Sequence, residues 1–144
     1  MFKITKRNYK EANLIEFFMS MEPPTVTHQE KKVAVRNGKP IFYEPPELKM
    51  ARSKLMGNLG QHVPEVPFAG PVQLVVKWCF PLIKGKTNGQ YKDTKPDTDN
   101  LNKLLKDCMQ ELKFFRDDSQ VASEIIEKFW SDVHGIYIRI EELP

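Results

Sequence analysis

Two groups of aspartates have a spacing that could hold a metal ion. In "KPDTDNLNK", residues 95–103, Asp97 and Asp99 stand one residue apart just ahead of a leucine-rich helical pattern. Eighteen residues after Asp99 the chain carries Asp117 and Asp118 side by side, in "FFRDDSQV". Like charges repel, so acids gathered at two points need a reason. If Asp97, Asp99 and Asp118 converge, their repulsion at low effective dielectric is on the order of several kcal/mol unless a cation sits between them. Hard carboxylate oxygens around an open site suit Mg2+, with Mn2+ as a substitute. An ion held that way activates water and stabilises charge in phosphodiester cleavage.

Each acid also has a plainer reading. Asp97 and Asp99 lie at or just inside a helix start, where a carboxylate accepts an orphan N–H and complements the macrodipole by about 0.3–1 kcal/mol. Asp117-Asp118 can be a solvated turn. Lys103, one helical turn after Asp99, can stabilise a pentacovalent phosphorane. Equally, it can pair with Asp99 or Asp107 for only a few tenths of a kcal/mol. A lone D-x-D also occurs in nucleotide-sugar transferases, although no glycine-rich nucleotide-binding segment accompanies this one.

The loop from Lys84 to Lys95 runs straight into Asp97 and carries Lys84, Lys86, Lys92 and Lys95 against Asp93 alone. By itself it is a solvated face. Beside a carboxylate metal site it becomes a contact for a phosphate backbone, with strongly salt-dependent binding. "PPTVTHQEKK", residues 23–32, is a second candidate. His28, His62 and His134 share no ligand spacing, and Trp78 and Trp130 sit in apolar runs that read as core.

The elements that must position these residues follow from periodicity. A chain of 144 residues forms one domain, 1–144, with a real core. Residues 1–13 read as a flexible extension. "LIEFFMSM" is a short strand stopped by Pro23-Pro24, and Asn37-Gly38 predicts a tight hairpin between Val33 and Tyr43. Leu48, Ala51, Leu55 and Leu59 predict a helix over 47–62. Val72–Phe80, apolar on both sides, predicts a central strand covered on both faces. Leu101, Leu104, Leu105, Cys108 and Leu112 form the clearest helical stripe.

The segment 119–130 fits helix or strand, and Gly135 before the alternating Ile136, Ile138 and Ile140 favours a hairpin, hence a strand. The fold class is therefore α/β: a mixed sheet with two main helices. If the segment after Asp118 turns back along that sheet beside Val72–Phe80, it could carry Asp118 toward the helix start. Two isolated cysteines, Cys79 and Cys108, read as buried free thiols. No apolar run reaches the roughly 18–20 residues a membrane span needs. The expectation is a soluble cytoplasmic protein, with a net charge of +3 that permits a polyanionic partner without demanding one.

"KPDTDNLNKLLKD" followed by "FFRDDSQV" closely resembles the RusA family of Holliday-junction resolvases. That family's pattern is approximately K/R-x-D-x-D-N-L-x-K, a helix, then an aromatic residue shortly before D-D-x-Q-V. The match falls at Asp97, Asp99, Asn100, Leu101, Lys103, Asp117, Asp118, Gln120 and Val121. The resemblance implies a homodimeric α/β endodeoxyribonuclease that binds four-way DNA junctions and cuts opposing strands with Mg2+. It implies that Asp97, Asp99 and Asp118 are the metal-site aspartates, that Lys103 is the catalytic lysine, and that Asp117, with Asn100 in the same motif, supports them. One departure is visible. Many members have a glycine between the helix and the aromatic residue, where this chain runs "QELKFFRDD". A branched-DNA-binding protein whose catalysis has decayed is the alternative of a different class, although the set of acids is complete.

Overall fold

The computed structural model describes residues 14–27 and 32–144. The strands are β1 (Leu14–Met19), β2 (Lys32–Arg36), β3 (Lys39–Tyr43), β4 (Val72–Pro81), β5 (Val121–Ser131) and β6 (Gly135–Glu142). The helices are α1 (Pro46–Leu59) and α2 (Thr98–Glu111). Four strands form one sheet in the order β1-β6-β4-β5, while β2 and β3 pair separately. β4 and β5 are parallel and the other neighbours antiparallel. The α/β class with a mixed sheet and two main helices is what the periodicity predicts. The expected extension 1–13 and the basic segment at His28 and Lys31 lie outside the described residues.

Alternation decides how the layers stack. In β4 every second residue is buried: Val72, Leu74, Val76, Trp78 and Phe80. They share one core cluster with Leu48, Leu55 and Leu59 of α1 and with Leu101, Leu104, Leu105, Cys108 and Met109 of α2. The intervening residues of β4 are only half-buried. β4 is thus central, as expected, but it is not covered on both faces, because both helices contribute to the core on one side. Burial pushes the Cys108 thiol up to about 11, so it stays protonated as a small core residue. Among the described residues no helix is long and apolar enough to cross a membrane.

Asn37 and Gly38 take φ values of 52° and 75°, the positive pair that a two-residue hairpin turn requires, so β2 and β3 form the expected ribbon. The second expected hairpin does not form. β5 and β6 follow each other in sequence, but β4 lies between them and pairs with both. Gly135 serves a different end: a Cβ there would sit 2.3 Å from the Phe18 ring and 2.5 Å from the Met19 carbonyl oxygen. It is the close approach of β1, not a turn, that requires the glycine.

Candidate functional site

β4, α2 and β5 form a parallel crossover unit. Such a unit places the start of its helix at the C-terminal end of the strands and the helix end at their beginning. Asp97 is the N-cap of α2, with extended backbone angles, yet its side chain makes no capping bond. The plain capping reading therefore fails for Asp97, and its exposed carboxylate remains open. Asp99, also exposed, accepts a 3.1 Å bond from the Asn100 N–H. Lys103 is exposed one turn further along. The two carboxylates and the lysine are on the surface of one helix start, and the carboxylates are a fitting part of the donor set for a hard cation.

Two lysines build the platform beneath that start. Lys92 Nζ donates to Thr94 Oγ1 at 2.5 Å and to the Lys95 carbonyl at 2.6 Å. Lys128 Nζ, from β5, donates to the carbonyls of Thr94 and Pro96 at 2.6 and 2.7 Å. Between them they bond three successive carbonyls just ahead of Asp97. Lys92 is 8 % exposed and lies 4.5 Å from the Trp130 ring centroid and 5.0 Å from that of Phe80. Burial first, then the nearby charge of Lys128, holds its ammonium below the usual lysine value. The expectation that Lys92 touches a phosphate backbone is thereby corrected, because its donors are engaged inside the protein. Lys84 and Lys95 are exposed and Lys86 half-exposed, so these three stay at the surface of the loop. Lys128→Met should strip a charged donor from two carbonyls, lowering stability by about 1.5–3 kcal/mol. Urea titration of the variant checks this.

The other aspartates sit at the far end of the helix. α2 closes with Lys113 at φ 71°, where a glycine would be unstrained, in the stretch between helix and aromatic residue that carries no glycine in this chain. The Phe114 N–H reaches the Met109 carbonyl at 2.9 Å and the Lys113 N–H that of Gln110 at 3.1 Å, the paired bonds of a Schellman end. Phe114 and Phe115 are buried, and a 3-10 turn over Asp118–Gln120 follows. Asp117 caps it, Oδ1 accepting from the Ser119 N–H at 2.9 Å. This bond, with the Ser119 hydroxyl, holds the Asp117 carboxyl below the usual aspartate value.

Gln120 then works as a clamp. Its Oε1 accepts from the Arg116 and Asp117 N–H groups, and its Nε2 donates to the carbonyls of Phe68 and Gly70. The D-D-x-Q spacing is a capping-box signal, and the box is present.

The Asp118 N–H donates to Gln110 Oε1 at 2.7 Å, which ties Asp118 to the last turn of α2. From Asp99 to Gln110 the helix rises by about 16 Å. Among the described residues no three acidic, histidine or cysteine side chains gather as a metal site. The expectation that Asp118 returns to the helix start within one chain is overturned. β5 does run back beside β4, but Asp118 precedes it, and the residue that reaches the helix start is Lys128. Sequence reading missed Lys128, whose place inside an ambiguous segment hid it, and Gln110, which carries no local signal.

A family model described as endodeoxyribonuclease RusA matches residues 22–141. An uncharacterized protein of Bacillus subtilis (strain 168), YqaN, is 31% identical over 140 residues, covering 90% of this chain and 96% of that protein. The crossover junction endodeoxyribonuclease rusA of Lactococcus phage r1t is 29% identical over 130 residues, covering 89% of this chain and 98% of the phage protein.

Proposed function

This chain belongs to the RusA family of endodeoxyribonucleases, and we propose that it cuts four-way DNA junctions as a two-fold dimer with two shared cation sites. Each site would take Asp97 and Asp99 from one copy and Asp118 from the other. Support for the substrate comes from the phage relative, named for crossover junctions. Support for the sharing is the one observation that carries this reading: Asp97 and Asp99 lie at one end of α2 and Asp118 at the other. Side-by-side antiparallel helices, related by a two-fold axis, bring opposite ends together. Two centres are also what paired incision of opposing strands requires.

A Mg2+ or Mn2+ held by Asp97, Asp99 and Asp118 would supply water activation and Lewis-acid charge stabilisation for phosphodiester cleavage. The chain's own residues do the rest. Lys103 stabilises charge developing on the phosphate oxygens. Asp117, with its carboxylate engaged by Ser119, keeps the turn that presents Asp118 in one conformation. Asn100 receives nothing beyond its place in the motif. Lys84, Lys86 and Lys95 contact phosphates without reading bases, so affinity falls with added salt and not with altered sequence. The whole operates as a single nuclease domain on DNA in the cytoplasm.

Mixing inactive variants tests the sharing. Asp97→Asn and Asp118→Asn should each be inactive alone. A mixed dimer pairs the intact Asp97 and Asp99 of one copy with the intact Asp118 of the other, so one centre is restored and one strand is nicked. No recovery on mixing would return each site to a single chain and end this reading. Junction binding without cleavage by the unaltered protein at any Mg2+ or Mn2+ concentration would favour the decayed binding protein instead.

A further inference from the structure

We infer that the β2–β3 ribbon is a wedge that enters the branch point of junction DNA, its apolar face set against a base pair left uncovered there. The inference rests on the junction reading above and names a surface that tells a branch from continuous duplex. β2 and β3 form a sheet of their own, paired from Lys32 opposite Tyr43 to Arg36 opposite Lys39. A lone two-stranded ribbon is marginal in water unless its apolar side chains find cover. The core gives these none: Val33, Ala34, Val35, Ile41 and Tyr43 neither belong to its cluster nor pack against it. Val35 is 72% exposed and Val33 52%. The foot of the ribbon is nonetheless fixed. Arg52 of α1 donates to Glu44 from Nε at 3.2 Å and from Nη2 at 2.6 Å, and Pro45 beside it is buried. The ribbon is thus anchored at its base and exposed from Val35 through its tip to Ile41.

Pairing and alternation sort its side chains into two faces. Ala34, Arg36, Lys39, Ile41 and Tyr43 share one, with the two cations directly opposite each other beside the Asn37-Gly38 turn. Val33, Val35 and Pro40 share the other. Residues 31–43 carry Lys31, Lys32, Arg36 and Lys39 and no acid. Nothing within the ribbon therefore offsets the repulsion between Arg36 and Lys39, whereas a phosphate between them would. Charge complementarity selects a polyanion over a protein surface as the occupant.

The apolar face selects the place on that polyanion. Along continuous duplex the faces of the base pairs are stacked and covered. The major groove is wide enough for a β-ribbon, but it presents mainly hydrogen-bonding edges. Where the arms of a junction meet, a terminal base pair loses its stacking neighbour. An apolar side chain set against that face replaces the missing base, as apolar wedges do between the steps of kinked DNA. Val35 and Pro40 are partners across the ribbon, one position from the tip cations. They cover the base pair on one side while Arg36 and Lys39 hold the strand that leaves past the other.

Val33→Thr with Val35→Thr keeps strand preference and side-chain shape but makes the apolar face half polar. Both positions lie outside the core, so the urea midpoint should match the parent's. Without metal, this double variant should lose about tenfold in affinity for a synthetic four-way junction and nothing for a linear duplex of the same arm sequence. Arg36→Gln with Lys39→Gln should lower the salt slope of junction binding by about 1. 2-Aminopurine placed at the branch should change its fluorescence when the parent binds, and should change less with the threonine variant. Unaltered junction affinity in both double variants, which is what a ribbon docked on a protein would give, overturns the wedge. So does an equal loss on junction and duplex with the threonine variant. None of these measurements needs cleavage. A parent that binds junctions and never cuts them ends the nuclease reading and leaves the wedge standing, while a parent with no preference for junction over duplex removes the wedge.

Discussion

Asp97→Asn should abolish cleavage of a synthetic four-way junction in Mg2+ while leaving the junction bound. Were Asp97 an ordinary N-cap, replacing it would cost a capping bond, and the loss would be one of folding. It makes no such bond, so the amide, nearly equal in size, should leave stability within about 0.5 kcal/mol of the parent. What changes is charge: one of the two acids at the helix start becomes a neutral, weaker ligand. In the proposed site, metal and carboxylate together would supply several kcal/mol of transition-state stabilisation, and each 1.4 kcal/mol is tenfold in rate, so the loss should be on the order of a thousandfold or more. Asp118→Asn should behave alike. Gel shift without metal and single-turnover cleavage with it separate binding from chemistry. Either variant with unaltered cleavage would remove the carboxylates from the mechanism.

Much of this was legible from periodicity. The stripe from Leu101 to Cys108 and the alternation of Ile136, Ile138 and Ile140 gave α2 and β6, because one side-chain period determines each. Pairing partners were harder. Gly135 looked like a turn residue, and only its contact with Phe18 shows that a neighbouring strand demands it. The place of Asp118 was lost to direction rather than to identity. The strand after the helix can run parallel or antiparallel to the strand before it, and the parallel arrangement starts β5 at the helix end opposite Asp97, which leaves Asp118 there. The burial of Lys92 was hidden for a related reason. A run of lysines reads as solvated until tertiary structure supplies two rings and a carbonyl for one of them.

A last consequence concerns how both ends of α2 are held at once. Asn102 is 1% exposed, and its Oδ1 accepts a 2.8 Å bond from Nε1 of Trp78, itself 0% exposed. Its Nδ2 donates to Glu124, which also holds Lys106. One amide thus joins the core of β4 to the helix midpoint and to β5, and the helix cannot shift along the sheet without breaking it. Asn102→Leu preserves volume but leaves the Trp78 N–H buried without an acceptor, and Glu124 loses a charge-assisted donor. The expected cost is about 2–4 kcal/mol, read as a lower urea midpoint at unchanged slope. Trp78→Phe removes the orphaned donor, so adding it to Asn102→Leu should cost less than the sum of the two single changes. Strict additivity would mean that the Trp78–Asn102 bond contributes nothing. If the coupling is present, Asn102→Leu should also slow cleavage by the folded protein, because the carboxylates at both helix ends depend on where α2 rests.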